Sequence, residues 1–125
     1  MAVEAIPLVP RGRQQVIQSY GGGFTVAGQR YRGDALVFPE RTVAWFGTAD
    51  PSLESLAAVT AAGADVALLL LGPGANGGLA APVLRAALKK SGIAVEAMTT
   101  AAACRTFNVL LAEERRVAAA LLAIE

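Results

Sequence analysis

The chain has 125 residues, 54% of them hydrophobic and 17% charged, with eleven Lys and Arg against ten Asp and Glu for a formal charge of +1. That size and apolar content suit one domain over residues 1–125, with an irregular lead-in at 1–15, a β-rich part at 16–46 and an α/β part at 50–125. Scattered, nearly balanced charge argues against nucleic-acid binding, and the complete absence of histidine removes Ser-His-Asp and Cys-His catalysis and leaves any metal site to carboxylates.

Cys104 is the single cysteine, so no internal disulfide can form. Among alanines it reads first as a small buried apolar residue. The adjacent Arg105 and a nearby helix start keep open the reading of a thiol with lowered pKa. The longest apolar runs, at 66–71 and 117–124, fall well short of the about 20 residues a membrane helix needs. Residues 1–13 lack a basic start followed by an apolar core. The expected protein is soluble, cytoplasmic and not membrane-spanning.

In chain order, Phe24-Thr25-Val26, a turn at Ala27-Gly28-Gln29 and Arg30-Tyr31-Arg32 read as a hairpin. Leu36-Val37-Phe38 is the next strand, and Thr42-Val43-Ala44-Trp45-Phe46 follows after a Pro39 turn. The period then changes. Asp50 as N-cap and Pro51 at the first helical position open a helix over 52–62 with an apolar stripe of Leu53, Leu56, Ala57 and Thr60, closed by Gly63. Residues 66–71 form a continuous apolar run, as in a strand covered on both faces. A loop over 72–81 leads to a helix from Pro82 to about Lys90, capped by Gly92, and then to a strand over 93–98. A helix capped by Thr99 or Thr100 follows, and the segment 116–124 closes the chain as a strand whose alanines and leucines would also suit a helix. Strands alternating with helices predict βαβ units with right-handed crossovers and a largely parallel sheet, joined by an antiparallel layer from the N-terminal half.

Gly72-Pro73-Gly74-Ala75-Asn76-Gly77 matches the dinucleotide fingerprint, with Glu96 about where a ribose-binding acid would stand. Pro82 argues against that reading. A fingerprint helix would start near Gly74 and carry Pro82 about two turns in, where the missing N–H and the ring clash cost about 3 kcal/mol. Read instead as a loop, its free amides would line a pocket at the carboxyl ends of the strands, where open α/β sheets bind ligands. The alternative is a connection whose glycines serve turns.

The stretch after Glu96 concentrates polar groups. Arg105 falls near the positive end of its helix, where the dipole disfavours a cation, and Asn108 shares its face. The candidate ligand-binding set is Gly72, Gly74, Asn76, Gly77, Thr100, Arg105 and Asn108, with no catalytic residue, metal ligand or cofactor assigned. Arg105 has a structural reading as well, pairing with Glu96 or with loop carbonyls. Glu113-Glu114-Arg115-Arg116 reads as a solvated mixed-charge turn. Trp45 reads as core or edge packing unless exposed, and Asp34 and Glu40 receive no role.

Gly22-Gly23-Phe24, Tyr31-x-Gly33, Leu36-Val37-x-Pro39, Trp45, Asp65-Val66, Gly72-x-Gly74, Pro82, Gly92-Ile93-x-Val95-Glu96-x-Met98-x-Thr100 and Ala103-x-Arg105-Thr106-Phe107-Asn108-x-Leu110 together resemble the domain of unknown function 498 family. The family includes the adipogenesis-associated protein and a mitochondrial complex I assembly factor. Phe107 stands where many members carry Tyr, and Glu114 where glycine is common. The resemblance implies a three-layer α/β fold with a mixed central sheet and an extra β layer. It implies no established catalytic activity and a non-catalytic assembly role with a protein partner. Beside that stands a small-molecule reading, an anion held by Arg105, Asn108 and amides of the glycine loop.

Overall fold

The computed structural model describes residues 16–47, 51–72 and 81–124, and for 16–20 the backbone alone. Its first sheet follows from two tight turns. Strand β1 (Val16–Tyr20) turns through Gly21 and Gly22, the latter at φ +83, into β2 (Gly23–Val26). Ala27 (φ +51) and Gly28 (φ +82) then form the two-residue left-handed turn that matches strand twist and leads into β3 (Gln29–Arg32). The three strands pair antiparallel in the order β1-β2-β3.

The second sheet has the order β5-β4-β8-β6-β7, built from β4 (Ala35–Val37), β5 (Thr42–Ala44), β6 (Leu68–Gly72), β7 (Ala94–Ala97) and β8 (Val117–Leu121). Strands β6, β7 and β8 run parallel, while β4 is antiparallel to both β8 and β5. Period-two alternation divides the core between the faces. Leu36, Leu69, Leu71, Val95, Ala118 and Ala120 face one way, with Leu56, Val59, Leu84 and Leu88 from the helices α1 (Ala57–Ala61) and α2 (Pro82–Lys90) and the turn before α1. Ala35, Val37, Leu70, Val117, Ala119 and Leu121 face the other way, onto α3 (Thr100–Ala112) and onto Phe24 and Val26 of the first sheet. The result is three layers around a mixed sheet, as expected.

Helix α2 takes β6 to β7 over one face. Helix α3 takes β7 back across β6 to β8 over the other. Reversed direction on the opposite face keeps the same hand for both crossovers, as right-twisted strands require.

Helices α2 and α3 end alike. In each, a residue in the left-handed region follows the C-cap, and the next two N–H groups reach back: Gly92 to Lys89 O and Ile93 to Leu88 O, then Glu114 to Leu111 O and Arg115 to Leu110 O. These are paired Schellman closures, one on glycine and one on glutamate.

The helix expected over 52–62 is corrected. A 3₁₀ turn at Glu54–Leu56 precedes a short α1, so Pro51 lies ahead of the helical residues and is buried. Ser52 supplies the N-terminal cap that Asp50 was expected to give: its Oγ accepts from Ser55 N at 3.1 Å, and its carbonyl accepts from Ser55 Oγ at 2.9 Å. Asp50 lies outside the described residues. The tighter winding also shifts the buried stripe to Leu56 and Val59, leaving Leu53 and Ala57 exposed. Gly63 does take the left-handed conformation, at φ +59.

Candidate functional site

The start of α3 fixes the geometry at the carboxyl ends of the parallel strands. Thr99 is the N-cap, its Oγ1 accepting from Ala102 N at 3.2 Å. Thr100, fully buried, turns its hydroxyl inward, 2.8 Å from the Leu122 carbonyl and 3.2 Å from that of Gly72. Gly72 permits this closeness. A Cβ there would lie 3.1 Å from both Thr100 Cα and Leu121 Cδ2. Leu122 N also donates to Gly72 O at 3.0 Å. The helix start and two strand ends are thus pinned together, and Gly72 and Thr100 are occupied in that packing.

The remaining expected site residues separate. Five positions along a helix amount to a rotation of about 140°, so Arg105 points away from the sheet when Thr100 points into it. Arg105 is exposed and, among the described residues, makes no hydrogen bond or ion pair with Glu96 or Asn108. Asn108 is half-buried, and its Oδ1 is shielded from solvent without a hydrogen-bond partner. Gly74, Asn76 and Gly77 lie outside the described residues. The structure therefore brings Gly72 to Thr100 and places Arg105 on the outer face of α3.

Cys104 is buried, and burial pushes its thiol up to about 11 from an ordinary 9.0 against the smaller opposing pull of the Arg105 charge. At neutral pH it is a protonated packing group, so the reactive-thiol reading fails because desolvation outweighs the neighbouring cation. Trp45 is buried too, its indole N–H donating to Ser55 O at 2.9 Å, while the neighbouring Phe46 is 94% accessible. Among the described residues no group of three or more His, Cys, Asp or Glu is placed to hold a metal ion.

Asp34 has a role that sequence reading missed. Its Oδ1 accepts from Ala123 N at 2.7 Å and its Oδ2 from Gly47 N at 3.3 Å, while Gly22 N donates to Ile124 O at 2.7 Å. The carboxylate and the Gly21-Gly22 turn hold the chain that leaves β8. A lone Asp after a glycine carries no local signal for bonds to residues so distant in sequence.

Two concavities lie at the opposite, amino ends of the parallel strands. The first, about 270 Å³, is lined by Phe38, Pro39, Glu40, Arg41, Ala62, Asp65 and Arg116. The second, about 410 Å³, is lined by Ala67, Leu68, Ala94, Glu114, Arg115 and Arg116. They share Arg116. Glu114, Arg115 and Arg116 there belong to the turn read from sequence as solvated surface.

A model for proteins of unknown function, DUF498/DUF598, matches residues 17–122. The chain belongs to this family. An uncharacterized protein of Rhodobacter capsulatus is 43% identical over 107 residues, which are 85% of this chain and 82% of that protein. A Danio rerio protein named NADH dehydrogenase [ubiquinone] 1 alpha subcomplex assembly factor 3 is 42% identical over 111 residues, covering 86% of this chain and 63% of the relative. The Mus musculus protein of the same name is 34% identical over 109 residues, covering 85% and 59%. The chain thus spans about three fifths of the assembly factors it matches. Among solved structures, one titled an outer membrane protein from Bartonella henselae superposes with a TM-score of 0.84 at 35% identity, over 94% of this chain and 99% of that one. A Bordetella pertussis protein described as an Mth938-like domain gives 0.77 at 30% identity, over 98% and 92%. Among the described residues no helix is long and apolar enough to cross a membrane.

Proposed function

We propose that the chain is a non-catalytic binding or assembly factor whose partner is another protein, acting on a respiratory NADH dehydrogenase or a related membrane complex. The observation that carries this reading is the 42% identity to an assembly factor of that enzyme across most of the chain. Cys104 fits it, because burial keeps the sole thiol protonated at neutral pH. A lone buried thiol also agrees with a reducing cytoplasmic setting.

The anion reading draws less support from the geometry. Arg105 offers exposed donors, but among the described residues it has no hydrogen bond to Asn108, and the Thr100 hydroxyl is occupied in packing. The test is to tag the chain in its own organism, extract membranes with mild detergent and resolve complexes by native electrophoresis. Co-migration with NADH dehydrogenase subunits below the size of the finished enzyme is expected. Migration of the chain alone, at every detergent level, would overturn the reading.

A further inference from the structure

We propose that Arg85 guards the outer edge of β7 and so keeps the chain from pairing there, strand to strand, with a second copy of itself. Strand β7 is the last in the order β5-β4-β8-β6-β7, so β6 covers one of its edges and, among the described residues, no strand covers the other. The backbone bonds fix which groups face outward. Ala94 N donates to Ala67 O at 2.9 Å and Met98 N to Leu71 O at 2.9 Å, so residues 94, 96 and 98 turn their main-chain groups toward β6. Alternation then turns the main-chain groups of Val95 and Ala97 outward. An edge of this kind is a template for a further strand.

Arg85 lies on the exposed side of α2, and its Nη1 donates to Val95 O at 2.6 Å. The bond is charge-assisted and short, and it occupies a carbonyl that a docking strand would need. Lys89, also exposed, follows four positions later and so shares the side of α2 that carries Arg85.

Pairing with a second copy runs through that same carbonyl. Two identical edges join antiparallel about a two-fold axis perpendicular to the sheet. An axis at Glu96 would set two exposed carboxylates directly opposite each other, which is unfavourable. An axis at Val95 sets Glu96 opposite Ala94 of the second copy and makes its central bonds between the Val95 N–H of each copy and the Val95 carbonyl of the other. Arg85 already holds both of those carbonyls. The axis also keeps the two α2 helices on one face of the joined sheet, which brings Arg85 and Lys89 toward their own images and adds like-charge repulsion.

Were the Arg85 bond only a tie between helix and sheet, its loss would lower stability and leave association unchanged. The guard role predicts a change in association. The test uses the whole chain and Arg85→Met, which keeps a long stem and a good helix former at an exposed position while removing the donors. Sedimentation equilibrium is expected to show that the variant dimerises more tightly than wild type by about tenfold or more. Hydrogen exchange is expected to show the Val95 amide protected in the variant and exchanging freely in wild type. Adding Ala97→Pro is expected to reverse the dimerisation, because the Ala97 N–H faces outward and its removal spares the pairing with β6. Equal association of variant and wild type, association that leaves the Val95 amide unprotected, or a dimer that persists after Ala97→Pro would each overturn the guard. Wild type decides as well, whatever the variant's folding: its Val95 amide is expected to exchange as an open edge from micromolar to millimolar concentration, and protection that grows with concentration would overturn the proposal.

Discussion

At the scale of single residues, two positions take energetic penalties that substitution can reveal. Glu114 occupies the glycine position of a Schellman closure whose counterpart at the end of α2 is Gly92. Relief of the left-handed strain exceeds the added backbone entropy of glycine, so Glu114→Gly should stabilise the fold by about 0.5–1 kcal/mol in urea titration. A fall in stability would mean that the Glu114 side chain contributes more than its conformation costs. Cys104 sets a pH dependence. Its folded thiol titrates near 11 and its ordinary value is 9.0. Below pH 9 both states are protonated and the burial contribution is complete. Between 9 and 11 the unfolded chain releases a proton that the folded chain keeps, so stability falls as pH rises, by up to about 3 kcal/mol. Comparing wild type with Cys104→Ala across that window should show a shallower decline in the variant, and parallel curves would contradict the assignment.

At the scale of elements, the joint between α3 and the strand ends is the most constrained place in the chain. Gly72→Ala would press a methyl against the backbone of Thr100 and the side chain of Leu121, and should cost about 1–3 kcal/mol by overpacking. Asp34→Ala should cost a similar amount, since the amides of Ala123 and Gly47 lose a charged acceptor. Both losses are read by thermal melting, and values below about 0.5 kcal/mol would show that the joint relaxes freely. The elements most legible in sequence are those with chemical punctuation. Pro82 and Gly92 bound α2 where expected, Thr99 caps α3, and the left-handed Ala27-Gly28 turn closes its hairpin. The α1 region was less legible because two serines captured the backbone locally and 3₁₀ winding turned Val59, rather than Ala57 or Thr60, into the core beside Leu56. β8 resembled a helix because it is completely buried, and alanine and leucine fit a strand covered on both faces as readily as a helix core.

At the scale of the whole molecule, the sheet order decides where concave surface lies. Placing β8 between β4 and β6 brings the turn of Glu40 and Arg41 to the turn of Glu114, Arg115 and Arg116, although more than 70 residues separate them. Neither periodicity nor motif spacing encodes that meeting, which is why the expected ligand set was drawn at the other end of the sheet. There the described residues are closed by Thr100, Leu122 and Asp34. The Gly72-to-Gly77 fingerprint drew attention to that end, and α2 begins at Pro82 beyond it, as the sequence predicts. A fold with covered faces and a thiol held protonated by burial suits a protein that holds another protein.

The most direct measurement is the amount of assembled NADH dehydrogenase in cells lacking this chain, with and without a restored copy. The account predicts that finished enzyme falls severalfold, that partial assemblies accumulate, and that the wild-type copy restores the normal level. Normal amounts of finished enzyme in cells lacking the chain, with no partial assemblies, would contradict it.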